Sequence, residues 1–252
     1  MTLAHTGRVN FKAVGPGIVR LDAGAVVALN SVDPAITLAT LAPYARVGKG
    51  TLVGTVKIIS YAVSGARLAE AMALGAGAVA ISPVRLRSAG LLLTEVPGMP
   101  DKLAAKGREA MARRLRALGM ELAEVRAVPH EVGAMAAALP GLAGGMVLIL
   151  TGSATSDLFD TAPEAVRAAG GSVARFGMPV DPGNLLFYGA LGGRPVIGLP
   201  GCARSPALNG ADWVLERLAC GLAVTGADIA AMGVGGLLKE IAVRGQLREA
   251  GE

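Results

Sequence analysis

The residues of this chain that are best suited to bind a small molecule lie in short polar segments that follow apolar runs. The first is Thr151-Gly152-Ser153-Ala154-Thr155, which comes directly after an apolar run and is followed by Asp160. Small residues let a phosphate approach the backbone, hydroxyls donate to its oxygens, and a nearby acid holds a divalent metal. The spacing predicts that Thr151, Gly152, Ser153 and Thr155 bind a phosphate and that Asp160 holds a metal ion.

Helix capping is a second interpretation of the same acid. An acid and a hydroxyl residue, Asp160 and Thr161, stand just before Pro163 and Glu164. That order is typical of a helix N-terminus, where a polar side chain caps the first turn and proline is tolerated. One of the two residues is therefore expected to cap a helix over residues 162–169, and capping does not exclude the ligand role.

The second polar segment lies within residues 193–210. Pro195-Val196-Ile197 predicts a short buried strand, Gly198 to Gly201 a tight loop, and Ala207 to Leu222 a helix. Glycines allow close approach, and exposed amides at the start of a helix attract an oxyanion such as phosphate. Arg204 could hold the same oxyanion through two parallel hydrogen bonds. A plain strand-to-helix connection is the alternative. The residues predicted to contact a ligand are Gly198, Pro200, Gly201, Cys202, Arg204 and Ser205.

Three further polar groups accompany these segments. A rigid turn, Pro179-Val180-Asp181-Pro182-Gly183-Asn184, aims Asp181 and Asn184 in fixed directions, although such turns also occur without a ligand. His130 follows a predicted strand and suits acid–base work, anion binding or helix capping. The Cys202 thiolate suits a soft metal, whereas filling a tight loop is its alternative role.

The elements that must position these groups alternate between strand and helix from about Gly90 onward. Apolar runs of strand length alternate with helical stretches up to Phe176. This order predicts an α/β fold with three layers, α/β/α, around a mostly parallel sheet. Ligands then bind at the carboxyl ends of the strands. Residues 1–88 form a smaller strand-rich region, residues 89–222 the ligand-binding domain, and residues 223–252 a C-terminal extension.

Composition and charge argue against nucleic acid as a partner and against a membrane span. The net charge is +5, but the basic residues are dispersed, and the densest group, Arg113, Arg114 and Arg116, is predicted to be the solvated face of a helix. A basic stripe with interleaved aromatics is missing, so nucleic acid is not an expected partner. The apolar runs are interrupted by charges, which argues against a membrane span. Two cysteines and no signal-like N-terminus predict a cytoplasmic protein.

Taken together, residues 150–163, 179–184 and 198–205 resemble the molybdopterin-binding domain of molybdenum-cofactor biosynthesis proteins. That family includes molybdopterin adenylyltransferase, molybdopterin molybdotransferase and gephyrin. The first segment is similar to a Thr-Gly-Gly-Thr-Gly strand end with a following acid and a Thr-Pro-acid-Ala helix start. The run Gly198-Leu199-Pro200-Gly201 with Ser205 is similar to a Gly-Leu-Pro-Gly-Asn-Pro-Val-Ser loop. The run Cys202-Ala203-Arg204-Ser205-Pro206 is similar to a loop in those molybdopterin-binding domains that accompany cytidylyltransferase-like domains.

This chain departs from the family pattern at identifiable positions. Ser153 and Ala154 stand in the glycine-rich loop, His130 stands where the adenylyltransferases carry an acid, and Asn184 stands where the molybdotransferases carry a lysine. The lost acid removes a metal or base position. The resemblance therefore implies molybdopterin binding more strongly than it implies either reaction.

The resemblance implies a role in late molybdenum-cofactor assembly. Molybdopterin, as a pterin phosphate or its nucleotide form, is the implied ligand, with Mg²⁺ and molybdate as further cofactors and Asp160 and Asp181 as the catalytic acids. The implied activity is nucleotidyl or molybdate transfer by a homo-oligomeric transferase. The alternative is a non-catalytic carrier that hands cofactor to a molybdoenzyme or to another biosynthesis protein. An ordinary nucleotide-binding enzyme ranks third, because no complete Gly-x-Gly-x-x-Gly follows the early strands.

Overall fold

The computed structural model describes residues 7–238, and the chain divides into two compact units between Arg85 and Leu86. Unit 1 therefore ends three residues before the boundary expected from the sequence. Residues 1–6 and residues 239–252, the second half of the expected C-terminal extension, lie outside the described residues. No helix within residues 7–238 is long and apolar enough to cross a membrane.

Unit 1 is built from two three-stranded antiparallel sheets and two helices. One sheet has the strand order β1-β5-β3 and the other the order β4-β2-β6. The elements are β1 (Arg8–Lys12), β2 (Gly17–Leu21), α1 (Ala23–Val32), β3 (Ile36–Thr40), β4 (Arg46–Val47), β5 (Leu52–Ile58), α2 (Gly65–Leu74) and β6 (Val79–Pro83).

Helix α1 is one element of unit 1 that the sequence did not predict, because this region was expected to be strand-rich. Asp22 caps it by accepting a hydrogen bond from the backbone N–H of Ala25 at 2.9 Å. The helix turns Val27 outward at 65% exposure while burying Leu29. Because apolar residues lie on both faces, the sequence shows no clear helical stripe.

Unit 2 is built around one six-stranded sheet with the order β10-β11-β12-β9-β7-β8. Strands β12, β9, β7 and β8 pair in parallel, and β11 runs antiparallel to both neighbours. The elements are β7 (Ser88–Glu95), α3 (Asp101–Ala117), β8 (Glu121–Pro129), α4 (Val132–Ala138), β9 (Val147–Leu150), α5 (Thr161–Ala168), β10 (Ser172–Phe176), β11 (Phe187–Leu191), β12 (Arg194–Leu199), α6 (Gly210–Ala219) and α7 (Gly226–Ala231).

Helices cover both faces of this sheet, as the alternation of buried side chains along β7 shows. Leu92 packs in the core cluster formed with α4 and α5. The next residue, Leu93, faces the opposite side, where it approaches Gly107 of α3. Since strand side chains alternate between faces, the strand is buried on both sides. The predicted α/β/α architecture with a mostly parallel sheet is confirmed.

Strand β11 was not predicted, although the pair Gly192-Gly193 that follows it is typical of a hairpin turn. It forms a hairpin with β12 through Gly192 and Gly193, whose φ angles are +57° and +75°. Two consecutive positive φ angles are typical of the tight turns that match strand twist. The buried ring of Phe187 in β11 fills the space above Gly198, where an added Cβ would lie 1.9 Å from a ring carbon. Gly198 is thus a strand residue required for packing, not part of the loop predicted there.

Residues 223–238 belong to unit 2 and are hydrogen-bonded to its sheet and to the turn 179–184. The Tyr188 hydroxyl donates to the Val224 carbonyl at 2.7 Å, and Arg175 donates to the Gly226 carbonyl at 2.9 Å. The backbone of Asp181 accepts a hydrogen bond from Leu238 N–H and donates one to Gly236, both at 2.8 Å. The described part of the expected extension is therefore held on the domain that it follows.

Candidate functional site

The predicted site residues converge because parallel strands end at the same edge of a sheet. Strands β7, β8, β9 and β12 end at Glu95, Pro129, Leu150 and Leu199, and the antiparallel strand β11 begins at Phe187 on that edge. The segments 151–160, 177–186 and 200–209 all leave or enter the sheet there. We call this edge, with those three segments, the carboxyl edge.

The segment 151–160 is anchored on β7 by Thr94. The hydroxyl of Thr94, which is 1% exposed, accepts a hydrogen bond from Gly152 N–H at 2.8 Å. An added Cβ on Gly152 would lie 2.7 Å from the Thr94 carbonyl oxygen. A glycine is thus needed at position 152 for close packing onto β7, and the neighbouring Ser153 remains exposed while Thr151 and Thr155 are buried.

Asp160 closes the same segment and caps α5, which confirms one of the two expectations for this residue. Its carboxylate accepts hydrogen bonds from Thr161 N–H at 2.7 Å and from Ser156 N–H at 3.0 Å. The Ser156 hydrogen bond is the main cause that holds the pKa of Asp160 below its ordinary value, with smaller contributions from Thr161 and the charge of His130, against an opposing effect of burial. The carboxylate is therefore ionised at neutral pH.

His130 joins the carboxyl edge at the end of β8. Its Nδ1 lies 2.9 Å from the Thr94 hydroxyl, and its backbone N–H donates to the Glu95 carbonyl at 2.9 Å. Because the same hydroxyl accepts from Gly152 N–H, Thr94 joins His130 to the segment 151–160.

A short 3₁₀ turn, Gly201–Arg204, follows β12 and carries the arginine that faces segment 151–160. The Nη2 of Arg204 donates to the Thr151 carbonyl at 2.6 Å. Its Nε is buried and has no hydrogen-bond partner among residues 7–238. Burial lowers the pKa of Arg204, because the charged guanidinium loses water. The carboxyl edge thus contains a partly desolvated cation without a paired carboxylate within the described chain.

Arg114 of α3 holds the backbone of the turn Gly201–Arg204 and of the residues after it. The prediction that Arg114 lies on a solvated helix face is wrong. The side chain is buried, pairs with Asp212, and donates to three backbone carbonyls of the turn and of the residues that follow it, at 2.8, 3.0 and 3.1 Å. The carbonyls belong to Ala203, Ser205 and Ala207. This arginine therefore fixes the backbone on which Arg204 and Ser205 stand.

Helix α6 begins at Gly210 rather than at Ala207, so the turn after β12 does not open a helix directly. Asn209 caps α6 in a capping box with Asp212, and this pairing sets the start of the helix. The Asn209 amide also donates to the Cys202 sulfur at 3.1 Å. Cys202 is exposed, so its thiol is oriented by a buried amide while it remains accessible.

The turn 179–184 is attached to the same helix start. The carbonyl of Pro182 accepts a hydrogen bond from Gly210 N–H at 2.8 Å. Gly183 has φ +144°, and an added Cβ would lie 2.8 Å from the Gly210 nitrogen, so glycine is required there. Asp181 is half-buried and precedes a cis proline, and Asn184 is exposed. The structure therefore brings this turn, Cys202 and the Arg204 segment together along the carboxyl edge.

Comparison with known proteins identifies the family to which this arrangement belongs. Residues 89–219 match the sequence profile of the family described as the probable molybdopterin-binding domain. This chain belongs to that family. No curated protein matches the sequence.

Two solved structures are similar to this chain. The molybdopterin biosynthesis MoeA protein from Pyrococcus horikosii is 17% identical with a TM-score of 0.41, over 83% of this chain and 67% of that one. Molybdenum cofactor biosynthesis protein B is 13% identical with a TM-score of 0.35, over 53% of this chain and 88% of that one.

Few side chains among the described residues of unit 2 could act as metal ligands. Residues 7–238 contain no cluster of three or more His, Cys, Asp or Glu side chains that could hold a metal ion. Both oxygens of Asp160 already accept backbone hydrogen bonds. Since Mg²⁺ is commonly bound through one or two carboxylates together with substrate phosphates, the donor set fits an ion that arrives with a phosphate and does not fit a protein-only cage.

The sequence analysis missed Thr94, Arg114 and Asn209. The signal for Arg114 is present in the spacing of the buried residues of α3, since 107, 110, 111, 114 and 115 lie on one face of the helix. For Asn209, the signal is an asparagine three residues before Asp212. Thr94 carries no local signal, because its contacts lie 36 and 58 residues away in the chain.

Proposed function

We propose that unit 2 binds molybdopterin, or a nucleotide form of it, through the phosphate group of the ligand. The observation that carries the proposal is Arg204, a partly desolvated guanidinium at the carboxyl edge with a buried Nε that has no partner in the described chain. A buried cation is costly unless an anion pairs with it. A phosphate at this position accepts hydrogen bonds from the guanidinium and offsets the lost hydration.

The neighbouring residues supply the other contacts of the proposed site. The hydroxyls of Ser153, Thr155 and Ser205 and the backbone amides around Gly201 donate to phosphate oxygens. The turn that carries Asp181 and Asn184 is attached to the start of α6, and we assign these two side chains to the pterin, whose ring nitrogens and exocyclic groups suit a carboxylate and an amide. Cys202 is the exposed soft donor of the proposed site.

Asp160 is the residue that would hold a Mg²⁺ ion bound to the ligand phosphates. Its depressed pKa keeps it ionised, and a magnesium ion would neutralise charge on a transferring phosphoryl or molybdate group. If the protein is a transferase, its own residues contribute positioning and electrostatic stabilisation, with Arg204 and Asp160 as the charged groups.

Titration of the purified chain with molybdopterin tests the proposal. Wild-type protein should bind at micromolar concentration, and Arg204→Gln should weaken binding by about 10- to 100-fold, the effect of a charge-assisted hydrogen bond worth about 1.5–3 kcal/mol. Arg113→Gln, on the exposed face of α3, is the matched control and should bind like wild type. No binding by wild type, or equal loss in both variants, rejects the proposal.

A non-catalytic carrier is the second candidate function, and His130 favours it. An imidazole at the end of β8 stands where the related transferases carry an acid, and the described residues lack a metal cluster. Incubation with molybdopterin, Mg²⁺ and either ATP or molybdate separates the two functions. Turnover supports a transferase, whereas stoichiometric binding without product supports a carrier for a molybdoenzyme or another biosynthesis protein.

We also propose a cytoplasmic homo-oligomer. Neither Cys202 nor Cys220 forms a disulfide, which suits a reducing compartment, and exposed apolar side chains such as Val234 and Leu237 suit self-association. Cell fractionation and light scattering of the purified chain test the two statements separately.

A further inference from the structure

Unit 1 contains an open apolar cavity that the function proposed above does not use. Its volume is about 520 Å³. The lining comes from the sheet β1-β5-β3, from both helices and from β6, so the cavity is concave and surrounded by regular elements of one compact unit.

The cavity is too large to be a packing imperfection. Protein interiors pack as densely as organic crystals and contain few voids larger than a water molecule. Pockets that bind small molecules have volumes of about 300–1,000 Å³ and mostly apolar walls. The walls include Val14 and Met72, which are 91% and 67% exposed, so a ligand would remove large apolar side chains from water.

The charge of the lining defines the ligand further. Lys12 is the single charged residue among the residues that line the cavity. It is exposed, and no acidic side chain of the described residues pairs with it. An acidic group on a ligand would therefore find a cation at the edge of an otherwise apolar surface.

We propose that this cavity binds a small molecule with an apolar or aromatic body and one acidic group. The body lies against the apolar walls, and the acidic group lies near Lys12. The concave shape and the volume fit a compact ligand, whereas a stable interface with a second protein chain buries about 800 Å² on each partner.

Two fluorescent probes with the same ring skeleton separate the apolar and the charged parts of the proposal. 1-Anilinonaphthalene-8-sulfonate carries an acidic group, and N-phenyl-1-naphthylamine lacks it. Both should bind with one site per chain. Lys12→Gln should weaken sulfonate binding by about fivefold, as expected for one solvent-exposed charge pair, and should leave the neutral probe unchanged. Lys49→Gln, an exposed lysine outside the lining, is the control.

Filling the cavity tests its location. Ala80→Trp places a large side chain at an exposed lining position of β6 and should abolish binding of both probes. Ala39→Trp, at an exposed position of β3 outside the lining, should bind like wild type. Circular dichroism and denaturant unfolding establish that both variants fold. If Ala80→Trp does not fold, the comparison of Lys12→Gln with Lys49→Gln on the two probes decides.

Three results overturn the proposal. The first is binding of many probe molecules per chain, and the second is equal binding by Ala80→Trp and Ala39→Trp. The third is light scattering that shows a wild-type dimer, dissociated by Ala80→Trp, without one-to-one probe binding, which would make the cavity a contact between copies of the chain.

Discussion

Arg114 binds the chain segment after β12 and Arg204 belongs to that segment, but only Arg114 has a carboxylate partner among the described residues. Arg114 is buried, pairs with Asp212 and binds three backbone carbonyls. Arg204 binds the Thr151 carbonyl and retains a buried Nε without a partner in the described chain. The same type of side chain thus occurs in two states: the paired arginine fixes the backbone, and the arginine without a carboxylate partner in the described chain is the one that we propose binds the phosphate.

The largest expected change in the free energy of unfolding comes from removing the buried ion pair between Arg114 and Asp212. Arg114→Met should lower the free energy of unfolding by about 3–5 kcal/mol, because it leaves the Asp212 carboxylate buried and uncompensated. Urea unfolding measures the change. Arg116→Met breaks only the exposed pair with Glu109 and should cost less than about 1 kcal/mol. Equal effects of the two substitutions would contradict the structural role of Arg114.

A smaller effect is expected at the far end of the segment that Arg114 holds. Asn209→Ala removes the cap of α6 and should lower the free energy of unfolding by about 1–2 kcal/mol. It also removes the amide that donates to the Cys202 sulfur, so the rate of Cys202 alkylation by iodoacetamide should change. Thr225→Ala, which removes the capping box of α7, should cost similar stability and leave that rate unchanged.

The unpaired arginine should contribute little to the stability of the free protein. Arg204→Gln removes one hydrogen bond but also a desolvated charge, so the free energy of unfolding should change by less than about 1.5 kcal/mol. Thermal unfolding with and without molybdopterin measures this change and the ligand-induced stabilisation together. A loss as large as that of Arg114→Met would show that Arg204 is a structural residue.

The smallest expected effect is the pH dependence that Asp160 confers. Its pKa is lower in the folded protein than in the unfolded chain, where an aspartate titrates at about 3.9. The ionised form therefore stabilises the fold above that pH, and the contribution is lost as pH falls through the folded pKa. Unfolding of wild type and Asp160→Asn between about pH 5 and about pH 2 should converge at the acid end.

Asp228 provides the control for Asp160. It stabilises the start of α7, and hydrogen bonds from the Thr225 side chain and backbone lower its pKa. Asp228→Asn should show the same direction of pH dependence as Asp160→Asn. Only Asp160→Asn should weaken molybdopterin binding, because Asp228 lies outside the carboxyl edge. Equal binding by both variants would remove Asp160 from the proposed site.

The fold of unit 2 was largely predictable because its signals are local. The sequence showed apolar runs of strand length with helical stretches between them. It also showed small polar residues after Leu150 and Leu199. These signals also placed the segments of the carboxyl edge. The cap at Asp160 was predictable for the same reason, since the acid and the proline of the first turn lie within four residues.

The missed features depend on partners that are distant in the chain. Arg114 was assigned to solvent because it belongs to the densest group of basic residues in the sequence, whereas its carboxylate partner lies 98 residues away. Gly198 was assigned to a ligand loop because the sequence does not show the Phe187 ring that fills the space above it. The pairing state of Arg204, on which the proposed function depends, is likewise set by tertiary structure rather than by the Cys-Ala-Arg-Ser run.

The reversal of β11 between β10 and β12 makes one part of the carboxyl edge adaptable. Because β10 and β11 are antiparallel neighbours, segment 177–186 leaves the sheet and returns to it at the same edge. Lengthening such a closed loop costs little entropy, and an insertion outside Pro182 and Gly183 keeps the contacts of that turn with Gly210. Insertions elsewhere in 177–186 can therefore change the surroundings of a ligand without a change in the arginine that we propose binds the phosphate.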